Sequence, residues 1–396
     1  MPTQPFYFFT SPDPDYLPKG SRDPLGFQVI WQHQARKLIP FLSTVSNSLR
    51  DFQILCTARY LYKSKNNSDW SKYFLRFEQL MSYARYLRYP ENAGFNGIEK
   101  VRQRLNDSSK YWVSNLPTDE ILSNQRPYGI LGKYIRPFSD IAFDTHPEFD
   151  KIYGDKTSAV KKDPEASRLL DKVLSGDRFS VDRTSLPALF PLFDISNEER
   201  EYLTQKLIRI EEKDNWQNRL YDYVDSTDLP DEFELYPFLK GFGKFLRPDE
   251  VLLQSLLEEH AKTERVLSPM NTIFRYLQTK PLWTRQSIDH DDYISACNRP
   301  FHYDFVARDH QTELLNQMGS LMGSSNWNVV MGLAKRNAEV TGWRGGNAWI
   351  SVIRDVLEVR HSDGALKKDQ YDPELDHENS YVLPAYISIY RQLKNR

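Results

Sequence analysis

Cysteine is nearly missing: Cys56 and Cys297 are the only two in 396 residues. Two thiols so far apart build neither a disulfide scaffold nor a four-cysteine zinc site. They are expected to be reduced and buried, which suits a cytoplasmic protein. Glycine is sparse as well. Its 17 residues argue against an all-β fold full of tight turns. Long apolar runs are absent: no stretch approaches the roughly 18–20 residues of a membrane span. The opening "MPTQPFYFFTSPDPDYLPKG" lacks a basic region followed by an apolar run of signal-peptide length. No membrane partner is expected.

Catalytic signatures are missing too. "GWRGG" at 342–346 and "KGFGKF" at 240–245 are glycine-rich, but neither carries the spacing of a phosphate loop or a dinucleotide fold. No cofactor is expected. There is no Gly-x-Ser-x-Gly elbow, and neither cysteine comes with a nucleophile signature. Glu358-Val359-Arg360 echoes a nuclease Glu-x-Lys, but Arg cannot replace a deprotonable lysine. The stretch 289–310 gathers His290, Asp291, Asp292, His302, Asp304, Asp309 and His310. Their spacing matches no ordered ligand set, and polar residues around helix starts explain them equally well. No metal site is assigned; a metal-dependent hydrolase using this cluster stands as an alternative.

What is present is apolar helical periodicity. Hydrophobic residues make up 40% of the chain and aromatics 13%, enough for sizeable cores. Residues 1–25 hold six prolines around "FYFF" (Phe6–Phe9) and read as an extended arm. "GFQVIWQHQARKLIP" predicts a helix that ends at Pro40. Leu42, Val45, Leu49, Phe52, Cys56 and Tyr60 recur every three or four residues as one stripe. Trp70, Tyr73, Phe74, Phe77, Leu80, Met81, Ala84 and Leu87 form a second stripe, with "NNSD" ahead of it as a cap. "KYWVSNL" reads as a short strand and "RPYGILGKYIRPFSDIAF" as a packed crossover loop. Ser196 with Glu199 predicts a capping box, and Pro248 a helix start.

The fold class expected is mainly α, with helical bundle-like domains and a small C-terminal α/β module. The domain reading is an arm at 1–25, a basic helical domain at 26–152, and a polar linker at 153–167. An acidic helical domain at 168–324 and the module at 325–396 complete it. In the module, helices at 327–338 and 347–357 followed by a hairpin at 356–369 would give the order of a winged helix. Asp355 and Glu358 near the exposed face of the second helix argue against phosphate contact there.

Charge is uneven. Residues 26–110 carry 14 Lys/Arg against 6 Asp/Glu, and residues 137–324 carry 23 against 34. A basic end beside an acidic body points to a nucleic-acid face, or to opposite charges docking within the molecule. The candidate nucleic-acid contacts are Arg59, Lys63, Lys72, Arg76, Arg85 and Arg88 on the two N-terminal helices, among interleaved tyrosines. Arg344, Arg354, Lys367 and Lys368 are the candidates on the C-terminal module. The function expected is that of a non-enzymatic, nucleic-acid-binding subunit of an intracellular multiprotein complex. A protein–protein scaffold without nucleic-acid contact is the other alternative, and a protein partner is expected in either case.

Overall fold

The computed structural model describes the chain apart from residues 1–22, 64–68, 92–93, 109, 211–215, 230–234, 301–308, 363, 367–381 and 395–396. The described residues are mainly helical, with five short strands in two antiparallel sheets. None of their helices is long and apolar enough to cross a membrane. The chain forms two compact units. The larger comprises 38–228 and 382–396, the smaller 1–37 and 229–381.

The larger unit is built on two helices, Leu49–Lys63 and Trp70–Arg88. Asp69 starts the second by accepting hydrogen bonds from the backbone N–H groups of Ser71 and Lys72. Phe52, Phe74, Phe77 and Leu80 are fully enclosed, and burying each is favourable by about 1.5–3 kcal/mol. Burial is not confined to one stripe: every residue from Tyr73 to Arg85 is buried. The polar members therefore find partners inside. Gln79 donates to the Ser114 carbonyl at 2.9 Å and accepts from its N–H at 3.1 Å. Glu78 accepts from the Ile130 N–H at 2.7 Å and from Gln125 at 3.0 Å.

Two strands flank this core. β1 (Lys110–Val113) pairs antiparallel with β2 (Phe179–Asp182), setting Trp112 opposite Ser180. "RPYGILGKYIRPFSDIAF" is not a loop: Ile130–Ile141 is a helix with Pro137 inside it. Gly132 permits its start, because a Cβ there would stand 2.0 Å from the Pro127 carbonyl oxygen. Residues 153–167 are helical too, and not a linker. They span the end of Pro147–Val160 and the start of Pro164–Ser175, which Asp163 caps. Phe149, Tyr153, Thr157 and Val160 place the buried face of the first helix at helical spacing, which its polar sequence obscured. The Arg183–Phe193 3₁₀ helix lies against Trp70–Arg88. The C-terminal helix, Leu383–Lys394, belongs to this unit as well.

The smaller unit shares one core among Leu25, Phe27, Leu267, Phe274, Trp283, Leu333, Trp349 and Leu357. Residues 229–324 of the acidic middle and 325–381 of the C-terminal segment thus fold together, while 168–228 and 382–396 belong to the larger unit. β3 (Leu282–Thr284) pairs with β5 (Val356–Val359), which pairs with β4 (Ile350–Ile353). The helix predicted at 347–357 is this β4–β5 hairpin, so the winged-helix order is not present. Alternation decides it: Ile350, Val352 and Leu357 face inward, and the Asn337 side chain anchors β4 by accepting from the Trp349 N–H at 2.7 Å. The turn falls at Arg354-Asp355, with Arg354 at φ +58°. Pro248 precedes its helix, which begins at Val251. Of the proline-rich arm, Phe6–Phe9 lie outside the described residues; its end, Leu25, is buried, and its carbonyl accepts from Arg336 at 2.9 Å.

Candidate nucleic-acid interface

The cations singled out from the sequence do not form one surface. Arg59 donates to Asp144 at 2.6 Å, and Lys63 to Asp150 at 2.9 Å. Lys72 is well exposed and lies 3.4 Å from Asp69. Arg76 is buried, and its guanidinium donates twice to the Val173 carbonyl, at 3.1 and 3.0 Å. Burial lowers its pKa. Arg85 is buried against Asp51 and donates to the Gly94 carbonyl at 3.1 Å. Arg88 donates to Asp194 and to the Phe190 carbonyl. In the smaller unit Arg344 is bonded to Asp23, and Arg354 sits in the hairpin turn. Lys367 and Lys368 lie outside the described residues.

The tyrosines divide in the same way. Tyr83 is buried, stacked on Tyr111 with centroids 5.0 Å apart. Tyr62 packs against Trp70 and Tyr73. Tyr89, just past the end of its helix, is different. Arg50 lies over its ring at 3.9 Å and Arg88 at 5.3 Å.

Arg50 and Tyr89 open onto a cleft of about 680 Å³ that Ser48, Arg85, Phe193 and Asp194 also line, among others. Arg50 belongs to the first turn of Leu49–Lys63, whose N-terminus adds positive potential. Burial lowers the Arg50 pKa, and the neighbouring Arg85 and Arg88 charges lower it further. Arg85 is paired with Asp51 and Arg88 with Asp194. The structure brings Arg85 and Arg88 together as predicted candidates and adds Arg50 and Tyr89. Arg50 had a signal in the sequence: a cation in a helix's first turn opposes the macrodipole.

Among the described residues, neither histidine nor cysteine lines the cleft. Cys56 is fully buried, and burial pushes its thiol pKa well up, away from nucleophilic use. Cys297 is buried and donates to the Tyr293 carbonyl. In the 289–310 cluster, Asp291 caps the Asp292–Cys297 helix and Asp309 caps His310–Gly319 in a capping box. His290 engages the Gln286 carbonyl at 2.9 Å. His302 and Asp304 lie outside the described residues. Among the described residues no three His, Cys, Asp or Glu side chains converge as a metal site would require.

No protein-family model matches the sequence, and neither a curated protein nor a solved structure is similar to it.

Proposed function

We propose that the chain is a non-enzymatic binding subunit that holds nucleic acid through the Arg50 cleft. The observation that carries this reading is a concave surface lined by Arg50, Arg85 and Tyr89, with Arg50 over the Tyr89 ring and Arg88 beside that ring at the rim. Guanidiniums neutralise phosphate, and a tyrosine ring beneath one of them offers a flat apolar face. The pairings of Arg85 and Arg88 with Asp51 and Asp194 hold those two side chains in place, so a phosphate meets a preformed site.

Fluorescence anisotropy with labelled oligonucleotides at 50 and 200 mM salt tests it. Binding should weaken steeply with salt, and Arg50→Glu should lower the log–log slope by roughly one unit per lost contact. A wild-type chain that binds neither single strands nor duplex at 50 mM salt would sink the reading. A protein partner is the second reading, favoured by the exposed Leu282, Ile353 and Trp343 of the smaller unit. Co-purification of a stoichiometric protein, with no nucleic acid, would favour that instead.

A further inference from the structure

The larger unit holds a second cleft, of about 380 Å³, that the sequence reading did not single out. Its floor is β1. The alternation of that strand sends Tyr111 and Val113 inward and leaves Lys110 and Trp112 outward. Trp112 is 46% exposed, a large indole on the open face of a two-stranded sheet. Arg178 lies over its ring at 4.1 Å. That guanidinium is fixed in turn, because Asp119 accepts from it at 2.7 and 3.1 Å. Asp119 is itself buried and also accepts from the Ser114 hydroxyl at 2.6 Å. The indole and its cation are therefore a rigid pair.

One wall is the Ile98–Asp107 helix, where Lys100, Gln103 and Asp107 fall on a single face. Arg104 behind them is saturated: it donates to the carbonyls of Thr118, Asp119 and Glu120 and to the Tyr83 hydroxyl. Lys100 and Lys110 differ from the cations discussed above. Neither has an ion pair or a side-chain hydrogen bond among the described residues. Lys100 is half-buried, and its pKa is lowered by that burial and by Arg104. The acids nearby are Asp107 on the same helix, Asp119 and Glu120, whose charges act on Lys100, and Asp182, opposite Lys110 across the sheet.

An exposed indole held by a fixed guanidinium, flanked by two unpaired lysines, combines a stacking surface with phosphate charge. We infer that this cleft seats one nucleotide of a single strand, its base against Trp112 and its phosphates at Lys100 and Lys110. The strand must be single, because bases inside a duplex do not present a free face. This rests on nucleic acid as the ligand class but uses no residue of the Arg50 cleft.

The test is anisotropy of a labelled oligothymidylate 12-mer and of a 12-base-pair duplex. Wild type, Trp112→Ala, Trp112→Phe, Lys100→Glu/Lys110→Glu and Arg50→Glu are compared. Trp112→Ala should weaken single-strand binding by about ten-fold or more without changing its salt slope. Trp112→Phe should retain part of the affinity, and neither change should affect duplex binding. The lysine double variant should reduce the salt slope. If Trp112→Ala and the lysine variant bind as wild type while Arg50→Glu does not, this site is refuted and the Arg50 reading stands. If only the Trp112 and lysine variants lose binding, the reverse holds. Should Trp112→Ala not fold, the outward-facing Phe and lysine variants decide alone. A wild type that binds no single strand refutes this inference outright.

Discussion

Replacing Arg85 with methionine should destabilise the larger unit by about 3–5 kcal/mol, the cost of breaking a buried ion pair from one side. The Arg85 side chain is 3% exposed and its partner Asp51 11%. Removing the guanidinium leaves the carboxylate enclosed with its cation gone, and the Gly94 carbonyl loses a donor. Against a typical domain stability of about 5–15 kcal/mol, that is roughly a fifth of the total or more. With a urea slope of about 2–3 kcal/mol per molar, the midpoint should fall by roughly 1–2 M. Amide exchange within Trp70–Arg88 assigns the loss to the unit that holds the pair. Arg85→Met/Asp51→Leu should recover most of it, since neither charge then remains buried. Lys72→Ala is the control, with a side chain 65% exposed and an expected change under about 0.5 kcal/mol. If Arg85→Met costs no more than Lys72→Ala, Arg85 is a solvated surface cation and the buried-pair account is wrong.

Glu78 makes a pH prediction: burial raises its carboxyl to about 7 from an ordinary 4.5. Between those values the folded state holds a proton that the unfolded state has released, so this residue's contribution to stability falls as pH rises through the window. Glu78→Gln should therefore gain on the wild type from pH 4.5 to 8, by about 3 kcal/mol at most, in urea unfolding at a series of pH values. A constant difference across that range would show that Glu78 does not titrate there. Gly132→Ala should destabilise by about 1–3 kcal/mol through the clash with the Pro127 carbonyl, seen as a fall in melting temperature. No fall would mean that the Gln125–Tyr128 turn shifts freely.

Local signals were legible wherever a single residue does the work. Asp69 and Ser196 start helices as their side-chain chemistry predicts, although the Glu199 side chain leaves its own cap to bond Gln53 and Lys156. The strand at Lys110–Val113 was legible too. Helix against strand failed at 347–357, where a short apolar run fits either period and the tie is broken by Asn337, twelve residues away. The loop reading of 126–143 fails because its glycines and prolines look like punctuation, while the Ile130–Ile141 helix accommodates Pro137.

Arg76 and Arg85 depart from the exposed positions expected of them for one shared reason. A sequence assigns polar residues to the solvent side of a helix, and that rule holds only for a helix at the surface. Trp70–Arg88 runs through the core, so Arg76 reaches a carbonyl 97 residues away and Arg85 an aspartate 34 residues away. Neither partner is visible from local spacing. Near the end of the same helix the enclosure stops. Arg88 and Tyr89 emerge beside the first turn of Leu49–Lys63, and Arg50 meets them there. On Trp70–Arg88, Arg76 and Arg85 are thus enclosed, while Lys72 and Arg88 near its two ends reach the surface. Trp112 escaped the reading for the opposite reason. On a strand of four residues an outward aromatic is indistinguishable from an inward one until the pairing partner, β2, fixes which face is covered.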